Sequence, residues 1–456
     1  MTVAEFRVEH DLIGAREVPV EARYGVHAAR AAENFARPGA RLVRDIPEFC
    51  QALGMVKLAC AQANLAAGLL DESRAAAIAQ AAEELVHDRA GLRRELVVPL
   101  LQGGAGTSTN MNVNEVLANR ALEAMGHPRG AYEHCHPNDH VNRSQSTNDV
   151  YPTALRIALV KRGKAVEAAA AQLERSLRRV AARYSTTTKL GRTQLQDAVP
   201  MLVSDELHAW ADAVAAGAEA LAASRTLLLE VNLGGTAIGT GLSAPAAYQR
   251  AVVEILAGVA EEPPRRPERL VSATTNSAAL LSHSAALRTL AMALAKLAND
   301  LRLLGSGPRC GLAELHLPPV QGGSSMMPGK VNPVIAEFVN QLAFRVRGAD
   351  LVVAEALDAG QLQLHAMLPA VACALFSAQQ DLASAATALA ERCIADLEVN
   401  EERVQTSAKL GLAELTEEAA ARGYQHASSL AVAQGLSPAA HTNGPATWAT
   451  STSATE

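Results

Sequence analysis

Leu287, Leu290, Leu294, Leu297, Leu301 and Leu304 recur at alternating steps of three and four. On an α-helix that spacing puts all six on one stripe, and its period of 3.5 favours neighbours packed nearly parallel or antiparallel, as in a bundle. So regular a stripe is core rather than site. GSGPR (Gly305–Arg309) supplies the stop. The stretch from Ile335 to Ala359 is again helical in pattern, with Phe338, Leu342 and Val346 four apart, and a further long helix is expected from Ala370. Aromatic residues make up only 3% of the chain, so these helices must pack through alanine and leucine. The fold class expected is mostly α.

The 456 residues are enough for a large core and more than one domain. A formal net charge of −6 without a basic cluster argues against nucleic acid or an anionic membrane as partner. Six scattered cysteines with no CxxC spacing suggest neither a zinc site nor a disulfide framework. The opening MTVAEFRVEHDL lacks the apolar core of a signal peptide, and no apolar run reads as long enough for a membrane span, so a cytoplasmic protein is expected. EEPPRRPERL (Glu261–Leu270) reads as a surface connector, and the last sixteen residues, HTNGPATWATSTSATE, as a disordered tail. Isolated histidines such as His134 and His283 read as satisfied surface or core residues rather than metal ligands.

Five polar stretches break the helical background. They are GAGTSTNMNVNE (Gly104–Glu115), HPNDHVNRSQSTND (His136–Asp149), GRTQLQD (Gly191–Asp197), NLGGTAIGTG (Asn232–Gly241) and GGSSMMPGKVNP (Gly322–Pro333). Each is rich in residues that lose helix propensity and are costly to bury unpaired, so together they read as one site assembled from distant parts of the chain. Many neutral donors and one cation, Lys330, suit a carboxylate-rich ligand. In the last stretch the glycines free backbone N–H groups, and the prolines keep neighbouring helices from absorbing the loop.

These motifs, in this order, resemble the aspartase/fumarase superfamily, whose signature is matched by GGSSMMPGKVNPVIAE. The likeness begins at EHDLIGAREVPVEARYGVHAARAAENF and runs with few gaps to about Asn400. It implies a three-domain fold with a central bundle of long helices: an N-terminal, mainly helical domain (1–145), a bundle domain (146–398) carrying a mobile loop (321–333), and a small, shortened C-terminal helical domain (399–440) before the tail (441–456). It also implies a homotetramer whose sites combine motifs from three subunits, with the Leu287–Leu304 seam expected to join them.

For the site, the resemblance makes Ser324 the base, with Lys330 assisting. Thr107, Ser146, Thr147, Asn148, Thr193, Gln194 and Asn332 become substrate-binding residues and Glu337 a supporting one. His136, Asn138 and Asp139 match a possible secondary dicarboxylate site. No organic cofactor and no metal is implied. Within the superfamily, GTS, STND and GRTQ resemble aspartases, which eliminate ammonia from L-aspartate to give fumarate. Fumarases carry a histidine at the position of Gln194, and glutamine cannot transfer protons. A specialised lyase acting on a substituted aspartate and a fumarate hydratase are the alternatives.

Overall fold

The computed structural model describes residues 5–436, so the tail expected at 441–456 lies outside the described residues. Two compact units emerge, each assembled from separated stretches of chain. One comprises the residues up to Arg175, Ala211–Asp300 and Val334–Cys393; the other comprises Ser176–Trp210, Leu301–Pro333 and the residues from Ile394 onward.

The larger unit is built from helices. Pro47–Ala66 is apolar on almost every face, and fourteen of its twenty residues are buried. Its Gly54 admits the neighbouring helix Glu72–Val86, because a Cβ there would sit 2.9 Å from Val86 Cγ2. Val334–Asp358 packs against Leu368–Leu389. A polar tie crosses this part: the Asp350 carboxylate accepts from Ser284 Oγ and Arg288 Nη1, both at 2.7 Å. The strands are few. Phe6–Asp11 pairs antiparallel with Gly14–Pro19, a short hairpin at the start of the unit.

The smaller unit holds the hairpin Thr188–Thr193/Gln196–Leu202, the two-residue pair Leu315–His316/Glu398–Val399, and the short helices Glu401–Ala408, Ala413–Arg422 and Tyr424–Ala433. A buried charge cluster holds it. The Glu314 carboxylate, 1% exposed, lies 3.2 Å from Lys189 Nζ and 2.6 Å from Arg192 Nη2, while Lys189 also meets Glu206 at 2.6 Å. The Glu314 pairs reach into the 188–193 strand from a loop more than a hundred residues away.

The leucine stripe lies on the helix Ala278–Leu304, as its spacing predicts, and all six leucines are buried. One expectation fails here. The stripe does not join subunits, because the chain itself covers it; Leu281, Met292 and Leu303 are the exposed large apolar residues on this helix. The helix is also long and apolar enough, by length and composition alone, to cross a membrane, contrary to the reading of its sequence. Half of that window is buried inside the chain, as for a core helix. On Val334–Asp358, Leu342 and Val346 are buried but Phe338 is 45% exposed. Steps of four residues advance about 40° around a helix of 3.6 residues per turn, so three such positions cannot share a narrow face.

Replacing Leu294 with alanine should cost about 2–5 kcal/mol of stability, seen as a fall in the urea midpoint. Oligomeric mass in native buffer should not change. Dissociation without unfolding would put the leucines back between subunits.

Candidate active site

Two of the polar stretches become helix starts. Thr107 opens the helix Thr107–Ala124, and Thr147 opens the 37-residue helix Thr147–Arg183. The residue before the first is Gly106, at φ +91° and with the Tyr151 ring 2.2 Å from where a Cβ would stand. Both facts demand glycine. The first turns are joined directly: Asn110 Nδ2 donates to Thr147 Oγ1 at 3.2 Å and to Asn142 Oδ1 at 3.1 Å. Asn142 Oδ1 also accepts from Asn114 Nδ2 and from Lys57 Nζ, each at 3.1 Å, and Lys57 Nζ reaches Gln145 Oε1 at 2.8 Å. Because Thr147 Oγ1 accepts from Asn110, its own hydrogen is left to donate elsewhere.

Asp149 fixes the other side of this helix start. Its carboxylate accepts from the N–H groups of Ser146 (3.0 Å), Gly234 (3.1 Å) and Thr236 (2.9 Å), binding SQSTND to NLGGTAIGTG. Burial pushes Asp149 up to about 6, and the three backbone donors oppose that rise. Ser146 Oγ accepts from Asn148 N, and Asn148 Nδ2 donates to Ala237 O at 2.8 Å. Thr107, Ser146, Thr147 and Asn148 are therefore gathered around two adjoining helix N-termini, where backbone dipoles favour an anion. His136, Asn138 and Asp139 form a local cap, His136 Nδ1 accepting from both following N–H groups at 3.2 Å.

In the smaller unit, Thr193 and Gln196 pair across a two-residue turn. Its central residues, Gln194 and Leu195, have φ of +54° and +62°, the left-handed pair typical of a tight hairpin but usually supplied by Asn-Gly. Side chains held this way cost of order 1–3 kcal/mol each, and such strain clusters at functional sites. Thr193 and Gln194 are both exposed.

The signature loop is neither helix nor strand, as its composition predicts. Gly323 N donates to Lys330 O at 2.8 Å, and Asn332 Nδ2 donates to Gly323 O at 2.7 Å. A Cβ on Gly323 would lie 2.6 Å from Lys330 O, so the loop's neck closes only around glycine. Ser324 Oγ accepts from Met326 N at 3.1 Å and Met327 N at 2.9 Å. Two N–H donors on one hydroxyl oxygen stabilise negative charge there. Lys330 is exposed, and Glu337 sits in the first turn of the helix that follows.

The polar stretch Gly104–Glu115 does not act as one block. Glu115 accepts from the N–H groups of Gly25, His27 and Ala28, and burial raises it to about 7; Asn112 holds Val97 and Val98. These side chains stitch the N-terminal segments to the helix, whereas Asn110 and Asn114 turn toward Thr147 and Asn142. Lys57 and Asn142 are further members of the network that motif reading does not single out. The one signal for Lys57 is a lone lysine in the apolar run MVKLACA. Of the isolated histidines, His283 is buried between Ser224 Oγ and Gln379 Nε2, each 3.0 Å away, and burial lowers it to about 4. His134 stacks on His127 at 3.7 Å.

A family model described as lyase matches residues 14–348. The chain belongs to this lyase family. An aspartate ammonia-lyase from Pseudomonas aeruginosa is 47% identical over 402 residues, covering 88% of this chain and 84% of that protein. One from Escherichia coli is 46% identical over 396 residues, 87% and 82% of the two chains. Among solved structures, a fumarate lyase:delta crystallin from Brucella melitensis, bound to cobalt, superposes with a TM-score of 0.90 at 44% identity over 94% of each chain. A class II fumarase from Schistosoma mansoni does so at 0.88 with 32% identity, over 93% of this chain and 92% of that one. The aspartase/fumarase fold implied by the motifs is thus the fold of this lyase.

Gly106→Ala should destabilise the lyase by about 2–4 kcal/mol, since it adds a left-handed alanine to a ring overlap. Thermal unfolding reads this out, and an unchanged midpoint would contradict the close approach of Tyr151.

Proposed function

We propose that this carbon–nitrogen lyase eliminates ammonia from L-aspartate, reversibly, to give fumarate. The observation that carries the reading is the environment of Ser324, whose oxygen receives two backbone N–H groups within a loop that also bears Lys330. A serine hydroxyl is a poor base until ionised, and oriented donors with a nearby cation favour the alkoxide. The aspartate ammonia-lyases at 46–47% identity support the choice of substrate.

In this reading the Ser324 alkoxide takes a proton from the carbon beside the side-chain carboxylate. The C–H electron pair moves into that carboxylate to form an aci-carboxylate. Its collapse forms the carbon–carbon double bond as the C–N bond breaks, and the nitrogen keeps that bonding pair. An ammonium group leaves as ammonia without a strong general acid. Gln194, which cannot relay protons, suits this leaving group better than hydroxide. Thr107, Ser146, Thr147 and Asn148 hold one part of the substrate at the paired helix starts. Thr193, Gln194, Lys330 and Asn332 hold the rest, and Glu337 supports them. Donors that tighten on the aci-carboxylate are worth about 3–4 kcal/mol each. Complete sites form in a homotetramer that draws these motifs from different subunits. His136, Asn138 and Asp139 form a secondary dicarboxylate site.

Purified protein given L-aspartate should produce fumarate, followed by its ultraviolet absorbance; turnover of malate but not aspartate would reverse the assignment. Ser324→Ala should lower kcat by roughly 10²–10⁴-fold with the helical fold intact. Near-normal turnover would remove Ser324 as the base. Co-refolding inactive Ser324→Ala and Thr147→Val chains should restore part of the activity. Failure to do so in proven mixed tetramers would place both motifs on one subunit.

A further inference from the structure

Lys57 is fully buried in the helix Pro47–Ala66, and among the described residues no carboxylate lies within ion-pair distance of its nitrogen. Its two hydrogen-bond partners are the neutral amide oxygens of Asn142 and Gln145. Asp149 attracts it from beyond that distance, and a buried ammonium with no carboxylate bonded to it lowers stability unless something else requires it.

The hydrogen-bond directions indicate what does. An ammonium only donates, so Asn142 must turn its oxygen toward Lys57. That same oxygen then draws in the Nδ2 groups of Asn110 and Asn114, leaving Asn110 Oδ1 and Asn114 Oδ1 buried without protein partners. If Asn142 reversed its amide and Asn110 and Asn114 turned theirs to match, the two orphaned oxygens would gain Asn142 Nδ2 as a donor. The observed arrangement therefore depends on Lys57. Its consequence reaches the helix start, because the Asn110 Nδ2 group so oriented donates to Thr147 Oγ1 and leaves that hydroxyl's hydrogen for a ligand.

We infer that Lys57 is a positioning residue for the substrate. Through Asn142 and Asn110 it sets the donor direction of Thr147, and its positive charge, which Asp149 meets only from beyond ion-pair distance, also attracts the dicarboxylate that binds there. The inference rests on the proposed role of Thr147. It differs from that role in needing a residue that touches no substrate.

The charge also gives the site a pH dependence. Burial lowers Lys57 to about 8, so the cation is present below that pH and is lost as pH rises through it. The groups facing it are Asp149 on the helix Thr147–Arg183 and Cys60 on its own helix, with Tyr248 of Ala246–Val259 bonded to Cys60. Asp149 is raised to about 6, Cys60 is raised to about 12 and Tyr248 is raised well above its ordinary value, each chiefly by burial. Between pH 7 and 9, therefore, Lys57 alone in this cluster changes charge.

The test uses the full-length protein and succinate, an unreactive dicarboxylate with no group titrating in that range. Lys57→Met keeps the aliphatic stem and removes the charge. It should raise KM for aspartate and weaken succinate inhibition by a similar factor, roughly 10–100-fold, the size of a lost charged hydrogen bond. The effect on kcat should be much smaller. In the unaltered protein, succinate inhibition should weaken as pH rises through about 8, and this dependence should be absent from Lys57→Met. The wild-type profile needs no variant, so it stands as a test even if Lys57→Met fails to fold. A fall in stability and kcat with KM and succinate affinity unchanged would make Lys57 merely structural. A flat wild-type succinate profile would equally overturn the inference. Should Thr147→Val also leave succinate binding unchanged, the fault would lie with the placement of the substrate at the helix start, not with Lys57 alone.

Discussion

The buried carboxylate of Asp149 is the interaction on which the polar region of the larger unit depends. It receives three backbone N–H groups, one from its own helix start and two from a glycine-rich loop 85 and 87 residues further on. Burying a charge is costly, and the rise of Asp149 to about 6 shows that the donors do not fully offset desolvation. What the carboxylate obtains is position. Thr236 is held at φ +56°, an uncommon conformation for a β-branched residue, so this loop would not adopt its path on backbone preference alone. With Asp149 in place, Asn148 and Asn232 close the junction from either side.

Beside that junction, the starts of two helices lie against each other through Asn110 and Thr147. A helix dipole contributes typically 0.3–1 kcal/mol toward a nearby anion, and about 2 in favourable partly buried geometry. Two dipoles can orient a dicarboxylate but cannot by themselves distinguish one carboxylate from another. On the proposed placement of the substrate, discrimination falls to the hydroxyl and amide groups, which a chain of hydrogen bonds links back to Lys57. The polar side chains of this region thus divide by direction. Glu115 and Asn112 face the N-terminal segments and hold the fold, while Asn110 and Asn114 face the helix junction.

Motif and period expose some of this organisation in the sequence. The leucine stripe announces a core helix because burial and periodicity are the same physical fact, and glycine and proline mark the signature loop because they exclude regular structure. Period does not say which surface covers a stripe, so the seam could be mistaken for a subunit contact. Nor does a spacing of four reveal that Phe338 has rotated outward. Lys57 is harder still to read. Its partners Asn142 and Gln145 are 85 and 88 residues away, and nothing in an apolar helix identifies its lysine as the end of a polar chain. The left-handed turn at Gln194 and Leu195 is hidden for a related reason: neither residue favours that conformation, so local propensity points elsewhere.

The signature loop shows how a segment can be exposed and still ordered internally. Met326 and Met327 face solvent, so few buried contacts resist its displacement, yet Gly323, Lys330 and Asn332 close its neck with hydrogen bonds that lie within the loop. Displacing such a segment need not break those bonds. Ser324 and its two donors are also internal to the segment. On the proposed mechanism this is what a base on a moving loop requires, because the oxygen, the N–H groups that stabilise its charge and the lysine that balances it would travel together. Glycine at 323 makes that possible: a side chain there would wedge open the neck and separate the base from the cation.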